Sequence, residues 1–254
     1  MPTVDEKPPV MVTSMRVANA IRSLLSDPGL RLSTLTRAIH VEPSISAAVL
    51  RVANSAALSA SAPVTGLERA VAVIGTARVR VLAIQIVMRQ LIDGIEVAAA
   101  RQLGETLWAH SLELACMAEQ IAIARGVPGD YCHVLALFHD LPVFQLLNES
   151  RNAPDAYSSE ARIVDHARRW NGPSAARVAS TMGLPVELVD DLHRLDDPAS
   201  TSPAVEVLRS AHACVDARYA FDRFDKHAQC ELDDTLRRRA HEKMEAYLDL
   251  VRMR

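Results

Sequence analysis

The stretch ANSAALSASAPVTGLERAVAVIG (53–75) decides the fold, because it reads as helix end, loop, helix and tight turn in succession. Asn54 and Ser55 close a helix: Asn tolerates a left-handed backbone, and both side chains can satisfy loose backbone groups there. The small, polar run 55–66 predicts a loop. Apolar Leu67, Ala70, Val71 and Ile74 then resume at helical spacing, and Gly75 permits a close helix-to-helix turn.

The same pattern extends outward in both directions. Met15, Ala18, Ile21, Leu24 and Leu25 predict a helix over 14–25, stopped by Asp27-Pro28-Gly29. Ser33 caps a short helix to residue 39. Pro43 opens the next at a first-turn position, where its missing N–H costs nothing. Downstream, helices are expected at 67–74, 76–91, 97–125, 131–147, 160–170, 174–182, 185–195, 203–220 and 231–251. A polar, mobile connection is expected at 148–160. No strand alternation is present, so the chain reads as all-α.

Composition agrees. Of 254 residues 49% are hydrophobic but only 4% aromatic, so the core must be aliphatic, and nine glycines are few. The net charge of −3, with both signs interleaved, argues against a dominant nucleic-acid face. Cys116, Cys132, Cys214 and Cys230 stand far apart with no CxxC, which reads as buried free thiols in a reducing compartment. No long apolar run exists and the polar, acidic start is unlike a signal peptide, so a cytoplasmic protein with no membrane association is expected. Arg78, Arg80 and Arg89 form either a small anion patch or a solvated face.

These motifs resemble the HDOD family, the non-catalytic relatives of HD-type metal-dependent phosphohydrolases. Glu42-Pro43-Ser44-Ile45-Ser46 is similar to the family's Asp-Pro-x-Leu-Ser helix start. Leu50-Arg51-Val52-Ala53-Asn54-Ser55-Ala56 follows its Leu-Arg-x-Ala-Asn-Ser-Ala motif, and 64–75 resembles its Ile-x-Ser-x-x-x-Ala-Ile-x-x-Leu-Gly run. The resemblance implies Arg51, Asn54, Ser55 and Gly75 as architectural signature residues and covers roughly 14–220. It implies an all-α helical bundle, with an N-terminal helical subdomain (about 13–95) packed on an HD-like helical half (about 96–220). A flexible lead-in (1–12) would precede these and a helical extension (221–254) follow.

An HD-type hydrolase takes a His from one helix, an adjacent His-Asp pair from another and a distant Asp from a third to hold divalent metal. The matching positions here are His110 in LWAHSLELA, His139-Asp140 in ALFHDLP, and His212 in LRSAHACVDA, where Asp is expected; Asp216 lies one turn later. Several positions depart from the pattern. Pro142 replaces a Gly after the pair, no His stands near Asn171-Gly172-Pro173-Ser174, and Leu195-Asp196 occupies a place where relatives carry His-His. His193 is nearby but out of register.

Two readings therefore stay open for the pair: a hydrogen-bonded brace between helices with His110, or a single metal on His110, His139, Asp140 and His212. His40, His133, His166, His227 and His241 lack ligand spacing and read as surface or hydrogen-bonded. Trp108 and Trp170 read as core anchors. The resemblance implies a bacterial signalling or regulatory module with no catalytic residue and no cofactor. It would dock a protein partner in trans through a groove between its two halves, without direct nucleic-acid contact. A metal-dependent phosphohydrolase acting on a nucleotide or cyclic dinucleotide is the alternative.

Overall fold

The computed structural model describes residues 43–54, 64–157, 159–167, 172–182, 184–215 and 233–252. The helices expected at 14–25 and 33–39, together with Ser55, Trp170, Asp216 and Cys230, lie outside the described residues. Among the described residues the chain is all helix and turn, with no strand.

In chain order the helices are α1 (Pro43–Ala53), α2 (Leu67–Ile74), α3 (Thr76–Asp93), α4 (Ala98–Ala124), α5 (Gly129–Phe138) and α6 (Leu141–Glu149). They continue with α7 (Glu160–Ala167), α8 (Gly172–Thr181), α9 (Val186–His193), α10 (Pro203–His212) and α11 (Asp234–Arg252). Helix α4 is the axis of the molecule. Its 27 residues make a rod of about 40 Å. Leu103, Leu107, His110, Leu114, Met117 and Ile121 recur every three or four residues, and this stripe is buried. Helix α5 packs along α4 most extensively, followed by α11 and α10. Phe138 and Phe144 are wholly enclosed in an otherwise mostly aliphatic core.

The signature stretch forms as its chemistry dictates. Asn54 Nδ2 donates to the carbonyls of Leu50 and Val64, each at 2.8 Å, and its Oδ1 accepts from the Val64 amide at 2.7 Å. One side chain thus ends α1 and fixes the chain where it re-enters ten residues later. Asn54 does this without the left-handed backbone its residue type tolerates: among the described residues only glycines have positive φ. Gly75 takes φ 90°, ψ 144°, a region nearly reserved for glycine, and the chain turns 108° from α2 into α3 across it. Arg51 is exposed in the last turn of α1, where a cation suits the helix dipole.

Two expectations are corrected, one on helix 131–147 and one on the cysteines, and the connection over 148–160 is seen to carry turns. The single helix expected over 131–147 is two, α5 and α6, broken at His139-Asp140. Pro142 is the cause: in a continuous helix its ring would collide with the carbonyl of Phe138 and its absent N–H would leave a bond unmade. The connection expected to be mobile contains two short 3₁₀ turns, Ser150–Asn152 and Pro154–Tyr157, with Ser150 and Tyr157 buried. Cys116 and Cys132 are buried free thiols, but Cys214 is disulfide-bonded, so the four cysteines are not all free.

Among the described residues no single helix is long and apolar enough to cross a membrane. The bent pair α2–α3 passes that test only by combined length and composition. Because the Asn54 bonds tie two backbone segments together, Asn54→Ala is expected to lower the unfolding free energy by about 1–3 kcal/mol. Urea unfolding followed by circular dichroism measures it, and an unchanged midpoint would show that the loop is held otherwise.

Candidate functional site

The break between α5 and α6 builds the site. His139 ends α5 with helical φ/ψ, and Asp140 stands at the N-cap of α6. An N-cap carboxylate ordinarily accepts from the second or third amide of its helix. The second residue of α6 is Pro142, which has no N–H, and Asp140 makes no side-chain cap bond. Its carboxylate instead faces the neighbouring ring, with Oδ2 2.9 Å from His139 Nε2. The other ring nitrogen is 2.6 Å from the Ala136 carbonyl. A carbonyl only accepts, so Nδ1 carries a proton, and in the neutral ring Nε2 is then a lone pair. A lone pair and a carboxylate oxygen at this distance need a cation between them, either a proton or a metal ion.

Two further imidazoles complete the cluster. His110 projects from the middle of α4, and His212 is the last residue of α10. Ring centroids are 5.7 Å apart for His110–His139, 5.4 Å for His110–His212 and 5.0 Å for His139–His212. One ligand atom from each ring lies within 4.8 Å of the others. Exposure is 4% at His110, 1% at His139, 6% at Asp140 and 7% at His212, so the cluster is sealed among the helices that supply it. Of the sequence-predicted set, His110, His139 and His212 converge on one point, and Asp140 joins them through its contact with His139. Asp216 lies outside the described residues.

The donors fit a divalent ion. Metal-binding histidines characteristically donate their second N–H to a carbonyl or carboxylate, as His139 does to Ala136. His110, His139 and His212 would hold the ion, with Asp140 beside His139, and the ion when bound supplies Lewis acidity and a fixed positive charge. The positions where relatives carry additional histidines do other work. The Gly172 amide donates to Asp196 Oδ2 at 2.6 Å, and a Cβ on Gly172 would meet the Leu192 carbonyl oxygen at 2.6 Å. Those two positions therefore clamp the start of α8 against the end of α9. His193 is exposed.

A second buried polar chain was not legible in the sequence. Gln85 Nε2 lies 2.8 Å from His133 Nε2, His133 Nδ1 lies 2.9 Å from Glu119 Oε2, and Lys243 donates to Glu119 Oε1. It joins α3, α5, α4 and α11. Burial lowers the pKa of His133 against the opposing pull of Glu119, so the ring is neutral. Burial alone would raise Glu119, but the His133 and Lys243 bonds outweigh it and hold its carboxyl below the usual range. The proton order follows: Gln85 donates to Nε2, Nδ1–H donates to the carboxylate, and the ammonium donates to the other oxygen. His133 was expected to be surface or hydrogen-bonded; it is buried and hydrogen-bonded, and no local spacing links it to Gln85, Glu119 or Lys243. Of the three arginines read as a possible anion patch, Arg89 is paired with both oxygens of Glu105 and with Asp93, which removes it from that patch.

Helices of this arrangement, with imidazoles and a His-Asp pair meeting at one buried point, define an HD-type all-α fold. The HDOD domain family model matches residues 11–186, and the chain belongs to that family. A solved structure from Shewanella amazonensis, carrying the provisional description of a metal-dependent phosphohydrolase, is similar at 18% identity and TM-score 0.65. That match covers 91% of this chain and 90% of the other. An HDOD domain protein of unknown function from Geobacter sulfurreducens matches at 21% identity and TM-score 0.60, over 96% and 89% of the two chains. A protein provisionally described as a signal transduction protein, from Marinobacter aquaeolei, matches at 18% and 0.55, over 96% of this chain and 57% of that one. No curated protein matches.

The buried His133 gives the stability a pH dependence of known sign. Its folded pKa lies below the ordinary 6.5, so the unfolded state binds more protons as the solution acidifies. The contribution is complete above 6.5 and lost as pH falls from there towards the folded value. Urea unfolding at pH 7.5, 6.5 and 5.5 should show that decline, and His133→Gln should flatten it. An identical decline in the variant would place its origin elsewhere.

Proposed function

We propose that the chain is a non-catalytic regulatory module of signal transduction that acts by docking a protein partner in trans. HDOD membership and the likeness to a protein described as a signal transduction protein support the signalling role. The observation that carries the non-catalytic part is the burial of the His-Asp cluster. Its four side chains are 1–7% exposed. His139 is committed to a main-chain carbonyl on one side and to Asp140 on the other. Catalytic metal sites keep a coordination position open to water and substrate, whereas structural sites are closed. The positions that would extend the donor set are tied up in the Gly172–Asp196 clamp. The chemistry that remains is that of a cross-helix brace, which leaves the surface to determine what the module does.

The test is turnover of bis(4-nitrophenyl) phosphate with added Mn²⁺, Mg²⁺ or Zn²⁺. The wild-type chain is expected to match its His139→Ala and Asp140→Ala variants at background rate. Metal-dependent turnover abolished by both changes would overturn the reading in favour of the phosphohydrolase alternative. Docking itself is checked by in-cell cross-linking and titration of the purified partner. Saturable binding unaltered by Asp140→Asn is expected, and failure of the purified pair to bind contradicts it.

A further inference from the structure

We infer that α11 is a proton-gated cover: a proton taken up by His133 displaces Lys243 from Glu119 and lifts α11 off α4. This is independent of the docking reading. Gln85, His133, Glu119 and Lys243 run in one file from the core to the surface. The His133 side chain is wholly buried, whereas those of Glu119 and Lys243 are 14% and 23% exposed, so the outer end of the file meets water. Elsewhere the hold of α11 on the bundle is slight. Ala240 is buried and Met244 and Leu248 are partly buried against the core, while Arg237, Arg238, Arg239, His241 and Glu242 are exposed. Cys116 stands one turn before Glu119 on α4 and is wholly buried. The charges of both Lys243 and Glu119 act on its thiol, which places it under the α11 contact.

The neutral His133 ring uses both nitrogens, accepting from Gln85 at Nε2 and donating to Glu119 from Nδ1. A proton arriving from solvent at Nε2 needs only a half-turn of the Gln85 amide, which then accepts through Oε1. The ring becomes a cation bonded to Glu119, and Lys243 becomes a second cation on the same carboxylate. Like charges crowded on one anion at low dielectric repel, and Lys243 is the one with a path to water. The linkage has the same sign. Burial lowers the proton affinity of the docked ring, Glu119 and Asp130 oppose it, and the Lys243 charge adds to the lowering. Lifting α11 removes Lys243 and admits water, so the uncovered state binds the proton more tightly and acid favours it. The other helices packed on α5 direct their titratable groups elsewhere: α9 brings Asp191 to Tyr131, and α10 brings His212 to the imidazole cluster. Glu119 is held below the usual carboxylate range and stays ionised at the pH values of the test.

The test is native-state hydrogen exchange of the full chain at low urea concentrations, at pH 7.5 and 5.5, corrected for the intrinsic exchange rate at each pH. Exchange through global unfolding depends steeply on urea, whereas exchange through the lift of one helix depends on it weakly. Amides of α11 are expected to open with the weak dependence. Their opening constant should rise up to about tenfold from pH 7.5 to 5.5, the limit for one ring returning to its ordinary 6.5. His133→Gln, which keeps a neutral donor in the file, should remove the rise, and Lys243→Met should open α11 at both pH values and flatten its response. At pH 5.5, Cys116 should react with 4,4′-dithiodipyridine ahead of Cys132, which is also buried. The inference is overturned by α11 opening only with the steep urea dependence of α4, by equal opening at the two pH values, or by a rise that survives His133→Gln. Labelling of Cys116 and Cys132 at one rate would overturn it too. The wild-type measurements decide it even if a variant fails to fold.

Discussion

The structure turns on one contact, His139 Nε2 against Asp140 Oδ2 at a break in the helix axis. A continuous helix would send adjacent residues about 100° apart and could not bring these two side chains to bear on each other. Pro142 forces the break and, by removing the second amide of α6, takes away one of the partners that an N-cap aspartate normally bonds. Read in sequence, the proline looks like damage to a site that usually has glycine there. In three dimensions it aims the carboxylate. The buried pair is costly to split, since leaving one charged partner alone in the core is worth about 3–5 kcal/mol. His110 on α4 and His212 on α10 pack against the His139 ring, with centroids 5.7 and 5.0 Å from it.

The Gln85–His133–Glu119–Lys243 chain solves the same problem a few turns away. Desolvation of a histidine and a carboxylate is offset by giving each nitrogen and oxygen a partner of the right sense, which fixes one tautomer. Its outer end is an ion pair from α4 to α11, and Ala240, Met244 and Leu248 add an apolar stripe at four-residue spacing on the same helix. A helix as polar as α11 docks through these few contacts. It packs on α4, the helix that also carries His110.

Much of this was legible in the sequence, for local reasons. Pro43, Gly75 and the apolar periodicity of α4 act within a turn or two of themselves, and the helices they predict form within a few residues of where they were expected. Asn54 was read as a backbone satisfier, and it is one, although its reach to Val64 across the loop needed the fold. The His-Asp cluster was legible only as a set of positions resembling a family pattern; that the three imidazoles converge is a property of how α4 and α10 pack. The 131–147 segment was read as one helix because apolar periodicity runs straight through the break, and Pro142 outweighs it. Glu119 and Gln85, the partners of His133, lie 14 and 48 residues away, Lys243 lies 124 from Glu119, and no spacing rule connects them. Cys214 shows the same limit, since cysteine spacing gave no sign of its disulfide.

Membership of the HDOD family and likeness to both phosphohydrolase-described and signalling-described structures leave the buried cluster as the feature that separates the two uses. The central claim is that it braces three helices. Native-state hydrogen exchange of the chelated chain, with and without one equivalent of zinc, tests this most directly. The account predicts that amides of α4, α5 and α10 gain protection together on zinc addition, while α2 and the outer turns of α11 do not. Protection unchanged in all three helices, or gained only around one histidine, would contradict it.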